Sequence, residues 1–254
     1  MIASRRTMAA AVDPSLSRAL RKAGCVVLDF DGPIARLFAG ASRGCPSTAP
    51  WIAGEMLAVA EEHGCLLDDV GGCTDPLLVL LEHAKEAKRR GGGGAWGRAV
   101  DEMRSLLDTW ERKSAEHAES TPGAAEFIRL WHDSGQHLSI ASSNHEDAIE
   151  RYLDREALRK CLVGPVVGRP DDLTRMKPDP WPLRQAMVSC VGGPENHLMI
   201  GDSVTDYQAA CAVGMPFWGY HRNPSGRRRL REAGAAGVVE SMAEFVVAAR
   251  ESLR

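Results

Sequence analysis

The sequence has no apolar run long enough to cross a membrane and no strong excess of either charge. A membrane-spanning helix needs about 18 or more consecutive apolar residues, and the apolar stretches of this chain are all shorter. The formal net charge of its 254 residues is −3, which predicts no basic surface for nucleic acid or an anionic membrane. The run Arg-Arg-Arg at 227–229 is interpreted as the solvated face of a helix. We therefore predict neither a nucleic-acid partner nor a membrane partner.

The seven cysteines are scattered, and none forms a C-x-x-C pair. Their odd number and irregular spacing fit reduced thiols, most of them small core residues, rather than a disulfide framework. The N-terminal stretch 1–12 has Arg5 and Arg6 followed by a short apolar part that Asp13 and Pro14 end, too short for the core of a signal peptide. We predict a cytoplasmic protein.

Predicted strands alternate with predicted helices in most of the chain. The predicted strands cover 25–30, 138–141, 162–167, 197–200 and 216–220, and the predicted helices cover 14–23, 121–131, 145–158, 180–191, 204–213 and 241–253. Thr121 is the predicted N-cap of the helix 121–131, with Pro122 in its first turn. Strands that alternate with helices indicate an α/β fold with a doubly wound parallel sheet. The hydrophobic fraction of 44% supports a sizeable buried core.

The segment 36–117 has a different texture. Its apolar residues recur at helical spacing, β-branched runs are absent, and glycines at 71–72 and 91–94 divide it. We predict a block of helices inserted after the first strand. The predicted organisation is an N-terminal extension and helix at 1–24, a core of 25–35 and 118–254, and the helical insert 36–117.

Two acids stand where the first predicted strand ends. Asp29 and Asp31 follow an apolar run and precede Gly32 and Pro33, which break the strand. Open α/β sheets bind ligands at the carboxyl ends of their strands. Acids at this place can hold a metal, attack an electrophile or move a proton.

Three later segments carry polar residues at comparable positions, and in a parallel sheet they converge on the same edge. They hold Ser142, Ser143 and Asn144, then Lys177, and finally Asp202 and Asp206. Several carboxylates form the hard oxygen site that Mg²⁺ prefers, and a lysine with a serine hydroxyl suits phosphate oxygens. One carboxylate is left to attack phosphorus. A second, turned in by the chain break after it, could protonate the leaving oxygen.

These four segments together resemble the motifs of the haloacid dehalogenase-like (HAD) hydrolase superfamily. The resemblance implies a Rossmann-like core with an inserted helical cap of the C1 type, as in phosphoglycolate-phosphatase-like and β-phosphoglucomutase-like members. It implies that Asp29 is the nucleophile and a Mg²⁺ ligand. Asp31 would be the general acid and base and bind Mg²⁺ through its backbone carbonyl. Asp202 would be the remaining direct ligand.

The resemblance also assigns the phosphate site. Ser142, Ser143 and Lys177 would hold the phosphoryl group, while Asp206 and Asn144 would support the metal and phosphate ligands from behind. The chain departs from the family pattern at Pro33, where Thr or Val is common. Proline fixes φ and removes a backbone donor, so we expect the segment that leads into the insert to bend differently.

Asp31 favours phosphoryl transfer over dehalogenation, because displacing a halide needs no proton on the leaving group. Phosphonatases with this cap use a cap lysine, but Lys85 and Lys88 are predicted to face solvent. The leading hypothesis is a Mg²⁺-dependent phosphatase of a small phosphomonoester. A phosphomutase shares all four motifs and stays an alternative, as does a non-catalytic binding protein on the same fold.

Substrate specificity is expected to come from the cap and the rim of the site. The candidates are Arg36, Arg43, Thr74 and His221. Each also has a simpler interpretation as a surface residue or, for Thr74, as a helix N-cap. The sequence does not identify the substrate or the oligomeric state.

Overall fold

The computed structural model describes residues 13–38 and 48–254. Stretch 1–12 of the predicted extension and the substrate candidate Arg43 lie outside the described residues. The helices are α1 Pro14–Lys22, α2 Ala49–Glu62, α3 Pro76–Arg89, α4 Gly94–Ala115, α5 Ala124–Asp133, α6 Glu146–Arg155, α7 Trp181–Ala186, α8 Val204–Val213, α9 Pro224–Glu232 and α10 Met242–Ser252. The strands are β1 Cys25–Leu28, β2 Ala35–Arg36, β3 Glu119–Ser120, β4 His137–Ala141, β5 Val166–Val167, β6 His197–Gly201, β7 Phe217–Tyr220 and β8 Val238–Val239.

Six of these strands form a parallel sheet with the order β5-β4-β1-β6-β7-β8. The last residue of β1, Leu28, lies level with Ile140 of β4 and Ile200 of β6. The chain adds strands on one side of β1 and then on the other, which makes the end of β1 a topological switch point. This confirms the predicted doubly wound α/β fold.

The central strand is apolar because both faces of the sheet are covered by helices. All four residues of β1 are buried, as expected for a parallel strand without an exposed face. The predicted strand 25–30 is two residues too long. The carbonyl of Phe30 accepts hydrogen bonds from the N–H groups of Ile34 and Ala35, both at 3.1 Å, so the chain turns directly after Asp29.

Helices α2, α3 and α4 pack around a cluster of buried residues separate from the core of the sheet. Met103 and Leu107 of α4 belong to this cluster, whereas Ala115, at the end of the same helix, belongs to the core of the sheet. Leu173 and Met176, which precede Lys177, also pack into the cluster of the inserted helices. Helix α4 therefore connects the two packed regions.

The prediction that Thr121 caps the helix after the insert is wrong. Helix α5 begins at Ala124, and Gly123 occupies its N-cap with φ of 90°. The hydroxyl of Thr121 instead donates to the carbonyl of Gly32 at 2.6 Å. The short antiparallel pair of β2 and β3 lies between Gly32 and Thr121 in the sequence. A side chain was thus assigned to a local cap although its partner is 89 residues away.

Other boundaries also differ from the predicted ones. Helix α7 ends at Ala186, five residues before the predicted end at 191, and β5 covers only the last two residues of the predicted strand 162–167. Strand β8 has only two residues and was not predicted, and α9, which is rich in arginine, was anticipated only as a helix face at 227–229 without bounds. Neither provides the hydrophobic periodicity on which such predictions depend.

No helix in the described ranges combines the length and the apolar character that a membrane span requires. The six cysteines within those ranges are all free thiols.

Gly123→Ala should destabilise the protein more than Gly135→Ala. Both glycines have positive φ, 90° and 74°, so either substitution should cost about 1 kcal/mol in backbone strain. A Cβ at 123 would lie 2.8 Å from the backbone nitrogen of Ala243 on α10, whereas a Cβ at 135 meets nothing within 4 Å. We expect a further loss of at least about 1 kcal/mol at 123, measured by urea unfolding. Equal losses would contradict this description of α5 docked on α10.

Candidate functional site

Asp29 lies directly beyond the end of β1, and its side chain is buried. Its backbone N–H donates to the carbonyl of Ile200 on β6 at 2.9 Å. Its carboxylate accepts a hydrogen bond from Nζ of Lys177 at 2.7 Å. The same ammonium donates to the carbonyl of Ala141, where β4 ends, at 3.1 Å and to the carboxylate of Asp206 on α8. One buried ammonium therefore joins groups at the ends of three neighbouring strands.

Asp206 holds the loop that follows β6. Its Oδ2 accepts hydrogen bonds from the N–H groups of Asp202 and Ser203, at 3.1 and 3.0 Å, and from the hydroxyl of Ser203 at 2.7 Å. These contacts form a capping box at the start of α8. Gly201 allows the close approach, since a Cβ there would lie 2.6 Å from the Asp206 carboxylate. Both oxygens of Asp206 are thus engaged, one with Lys177 and one with the loop.

Asp29, Asp202 and Asp206 form an acidic cluster in which one oxygen of each lies within 4.8 Å of the others. Asp202 can enter the cluster because residue 32 is a glycine. A Cβ on Gly32, whose φ is 117°, would lie 2.2 Å from Oδ2 of Asp202. Because both oxygens of Asp206 already accept hydrogen bonds, Asp29 and Asp202 offer the more available oxygens to a cation. Carboxylate oxygens are the ligands that Mg²⁺ prefers.

Asp31, two residues after Asp29, lines the same cavity. Residues i and i+2 of a strand share a face, and the chain turns directly after Asp29, so both carboxylates stay at the sheet edge. The N–H of Gly32 donates to the carbonyl of Ala35 at 2.6 Å, which closes this turn. The N–H of Leu37 donates to Oδ1 of Asp31 at 2.8 Å and fixes its carboxylate.

The electrostatics of the cluster favour the binding of a cation. Burial, with a contribution from the charge of Asp206, raises the pKa of Asp29 to about 6. Burial also raises the pKa of Asp31 to about 7, and burial with the charge of Asp29 raises the pKa of Asp202 well above its usual range. Burial alone would lower the pKa of Lys177, but the charges of Asp206 and Asp29 outweigh it and raise that pKa. The cluster holds more negative charge than one ammonium neutralises.

Ser142, Ser143 and Asn144 form the loop between β4 and α6, and all three are buried. The N–H of Ser142 donates to the carbonyl of Val167 at 2.9 Å, so the loop continues the sheet edge. The hydroxyl of Ser142 donates to Oδ1 of Asn144 at 3.0 Å. Donors just before a helix start suit phosphate oxygens. We call residues 142–144 the serine loop.

The serine loop, Lys177, Asp29, Asp31 and Asp202 line one cavity of about 510 Å³. The start of α3 and the segment before Lys177 provide another part of its wall, through Thr74, Asp75, Leu77, Leu78, Leu81 and Met176. A polar sheet edge therefore shares the cavity with a largely apolar wall. This combination has room for a phosphoryl group and an attached organic group.

The substrate candidates within the described residues are divided between two cavities, both of which are lined by Asp31 and Asp202. Thr74 lines the main cavity, while Asp75, not Thr74, caps α3. His221 lines both this cavity and a neighbouring one of about 340 Å³, and burial together with nearby arginines lowers its pKa. Arg36 lines only the neighbouring cavity and forms an ion pair with Glu119. The structure thus does not bring Arg36 into the main cavity.

Three residues beside the serine loop were missed in the sequence analysis: Asp108 and Glu111 of α4 and Arg169 after β5. A single acid in a helical pattern predicts a solvent-facing side chain, so nothing in the sequence distinguished Glu111. Arg169 follows a strand of the sheet, and a position after a strand also indicated Lys177 and Asp202 as site residues. Arg169 could therefore have been predicted from the sequence.

A family model described as haloacid dehalogenase-like hydrolase matches residues 83–220, more than half of the chain. The chain is also similar to proteins named phosphoglycolate phosphatase. It is 31% identical to one from Rhodospirillum rubrum, over 49% of this chain and 50% of that protein. It is 31% identical to one from Thiobacillus denitrificans, over 50% of this chain and 56% of that protein. The chain therefore spans about half the length of the curated relatives it matches.

The fold is similar to that of solved structures over most of its length. A predicted phosphatase from Clostridium acetobutylicum superposes with a TM-score of 0.61 and 19% sequence identity, over 88% of this chain and 96% of that one. At this level of identity the similarity concerns the fold alone.

Asp31→Asn should stabilise the metal-free protein at pH 8 by about 2 kcal/mol, after allowance for a partly exposed site. The pKa of Asp31 in the folded protein is about 7, against about 4 in an unfolded chain. The folded state therefore binds the extra proton, and ionisation costs stability progressively as the pH rises from 4 to 7. Asparagine removes this cost.

Urea unfolding in a chelating buffer, between pH 4.5 and pH 8, measures the difference. It should be close to zero at pH 4.5 and largest at pH 8. Asp69→Asn, an exposed acid outside the cavity, should show no such growth. A difference independent of pH would contradict the raised pKa.

Proposed function

The chain belongs to the haloacid dehalogenase-like hydrolase family, and from this premise we propose that it is a Mg²⁺-dependent hydrolase of a small phosphomonoester. The observation that carries the proposal is the bond of the Lys177 ammonium to Asp29, in a cavity that also holds Asp31, Asp202 and the serine loop. A nucleophile, a proton carrier, a cation and hydroxyl donors then surround one space. That set matches the needs of phosphoryl transfer.

We propose that the carboxylates of Asp29 and Asp202 and the main-chain carbonyl of Asp31 hold the Mg²⁺. The donor set supports this, because all the ligands are oxygens, and burial together with neighbouring negative charge raises the pKa of both carboxylates. When bound, Mg²⁺ would neutralise this charge and draw electron density from the phosphoryl oxygens. Asp206 supports the site by orienting Lys177 and the 202–203 loop.

In the proposed reaction, a carboxylate oxygen of Asp29 attacks phosphorus and forms an aspartyl-phosphate. Asp31, whose raised pKa of about 7 keeps a proton available near neutrality, protonates the leaving oxygen. Asp31 then removes a proton from the water that hydrolyses the intermediate. Lys177 compensates the charge that gathers on the transferring group. Ser142 and Ser143 would donate to its oxygens, Ser142 by turning its single hydroxyl proton away from Oδ1 of Asn144.

We propose further that residues 36–117 act as a cap domain over this cavity. The apolar residues at the start of α3 support this, because they line the cavity together with the acids. A cap of this kind would exclude bulk water and contact the organic group of the substrate. Thr74 and His221, which line the cavity, would make such contacts. Since its relatives are named phosphoglycolate phosphatases, phosphoglycolate is the first substrate to test; a cytoplasmic location stays a prediction from the sequence.

Asp29→Asn should reduce Mg²⁺-dependent hydrolysis of p-nitrophenyl phosphate by more than about 1,000-fold, because the amide oxygen is a poor nucleophile. Steady-state release of inorganic phosphate measures the loss. Asp69→Asn is the matched control and should keep full activity, since it makes the same change outside the cavity. Chelation should abolish wild-type activity, and added Mg²⁺ should restore it. Undiminished turnover by Asp29→Asn would sink the proposal.

Asp31→Asn should separate the two half-reactions. The p-nitrophenolate anion leaves without a proton, so the variant should still release close to one equivalent of it in the first turnover. It should then stall, because the water is no longer activated. An alkyl phosphate needs the proton and should show a loss of about 10²–10⁴-fold already in the first turnover. Rapid-quench kinetics measures both, and equal first-turnover losses on the two substrates would argue against Asp31 as the acid.

A further inference from the structure

A second cluster of buried charges lies beside the serine loop and connects it to α4. Its members are Asp108 and Glu111 of α4, Arg169 after β5, and Asn144 of the serine loop; we call it the Arg169 cluster. The side chains of Arg169 and Glu111 are 1% and 0% exposed. Burying charged side chains this fully is costly unless they are paired and hydrogen-bonded.

Arg169 uses all parts of its guanidinium. Its Nε donates to the carbonyl of Ser143 at 3.1 Å, one terminal nitrogen donates to Glu111 at 2.6 Å, and the other donates to Asp108. Its backbone N–H donates to the carbonyl of Asn144 at 2.8 Å. The planar fork of arginine thus fixes the serine loop from two sides and ties it to α4.

Glu111 contacts the same loop directly. Its Oε1 accepts a hydrogen bond from Nδ2 of Asn144 at 2.9 Å, and its Oε2 accepts one from the N–H of His145 at 2.8 Å. Because Nδ2 of Asn144 points to Glu111, Oδ1 of the same amide points to the hydroxyl of Ser142, at 3.0 Å. A chain of hydrogen bonds therefore runs from α4 through Asn144 to the hydroxyl of Ser142.

The backbone near Arg169 leaves little freedom for another arrangement. A Cβ on Gly168 would lie 2.6 Å from the backbone nitrogen of Glu146, in the first turn of α6. The loops after β4 and β5 therefore pack closely against each other. This limits the positions that the guanidinium of Arg169 can take.

We propose that Glu111 and Arg169 are positioning residues, which hold the serine loop in the place where it binds a phosphoryl group. Phosphate affinity would then depend on where α4 lies, because Glu111 and Asp108 belong to that helix. The inference rests on the proposed function in that the serine loop is the phosphate site. It goes beyond it by linking that site to the inserted helices through α4.

The test is calorimetric titration of the whole protein with inorganic phosphate in the presence of Mg²⁺, which requires no turnover. Glu111→Gln keeps the shape but presents an amide N–H₂ to donors and removes the charge opposite Arg169. We expect the dissociation constant for phosphate to rise about tenfold, as for a lost hydrogen bond to a charged group. Arg169→Lys should give a similar loss, because an ammonium cannot span the three partners of the guanidinium.

Two further variants calibrate the measurement. Asp108→Asn changes only the more exposed partner of Arg169, 13% exposed, and should weaken phosphate about two- to threefold. Lys88→Met removes another ion pair between the inserted helices and the core, with Asp172. Lys88 is 63% exposed and does not contact the serine loop, so its variant should bind phosphate like the wild type.

The melting temperature of each variant separates positioning from stability. Weaker phosphate binding by variants that stay folded at the assay temperature supports the inference; unchanged binding by Asp108→Asn, Arg169→Lys and Glu111→Gln overturns it. If Glu111→Gln does not fold, the other two variants decide. A wild type that binds phosphate but hydrolyses no phosphomonoester would contradict the proposed function and leave this comparison intact. A wild type that binds no phosphate would contradict both.

Discussion

The arrangement of the site depends on one buried ammonium, that of Lys177. It lies among the carboxylates of Asp29 and Asp206 and the carbonyl of Ala141, and these groups come from the ends of β1 and β4 and from α8. Without it, like charges would be buried side by side, which costs several kcal/mol. With it, the carboxylates of Asp29, Asp202 and Asp206 still share one ammonium, and burial together with their mutual repulsion raises the pKa values of Asp29 and Asp202. The same imbalance that makes the site costly to assemble makes it attractive to a cation.

The sheet and a few glycines determine which groups can approach. The switch in strand order places the ends of β4, β1 and β6 next to one another, so residues distant in sequence converge on one edge. Gly32 and Gly201 leave the space into which Asp202 and Asp206 fit. Specific chemistry at this edge thus follows from positions where a side chain is absent as much as from the polar residues themselves.

The sequence allowed the sheet, the helical insert and the polar strand ends to be predicted, because each depends on a local pattern. Strand β1 is a continuous apolar run, and Val204–Val213 was predicted to its exact bounds since Ser203 and Gly214 mark both ends. Interactions between distant segments could not be predicted in this way. Thr121 was assigned to a cap although it bonds Gly32. The burial of Glu111 against Arg169 could not be predicted either. Hydrophobic periodicity identifies the apolar face of a helix, but it does not show which part of the polar face packs against another element.

The central claim is that Asp29 becomes phosphorylated during turnover. The most direct measurement is to quench the reacting enzyme, reduce it with borohydride and map the peptides by mass spectrometry. Reduction converts an aspartyl-phosphate to homoserine, so the account predicts homoserine at position 29 in the presence of substrate and Mg²⁺, and none without substrate. Turnover with no modification at position 29, or with a modification at another residue, would contradict it.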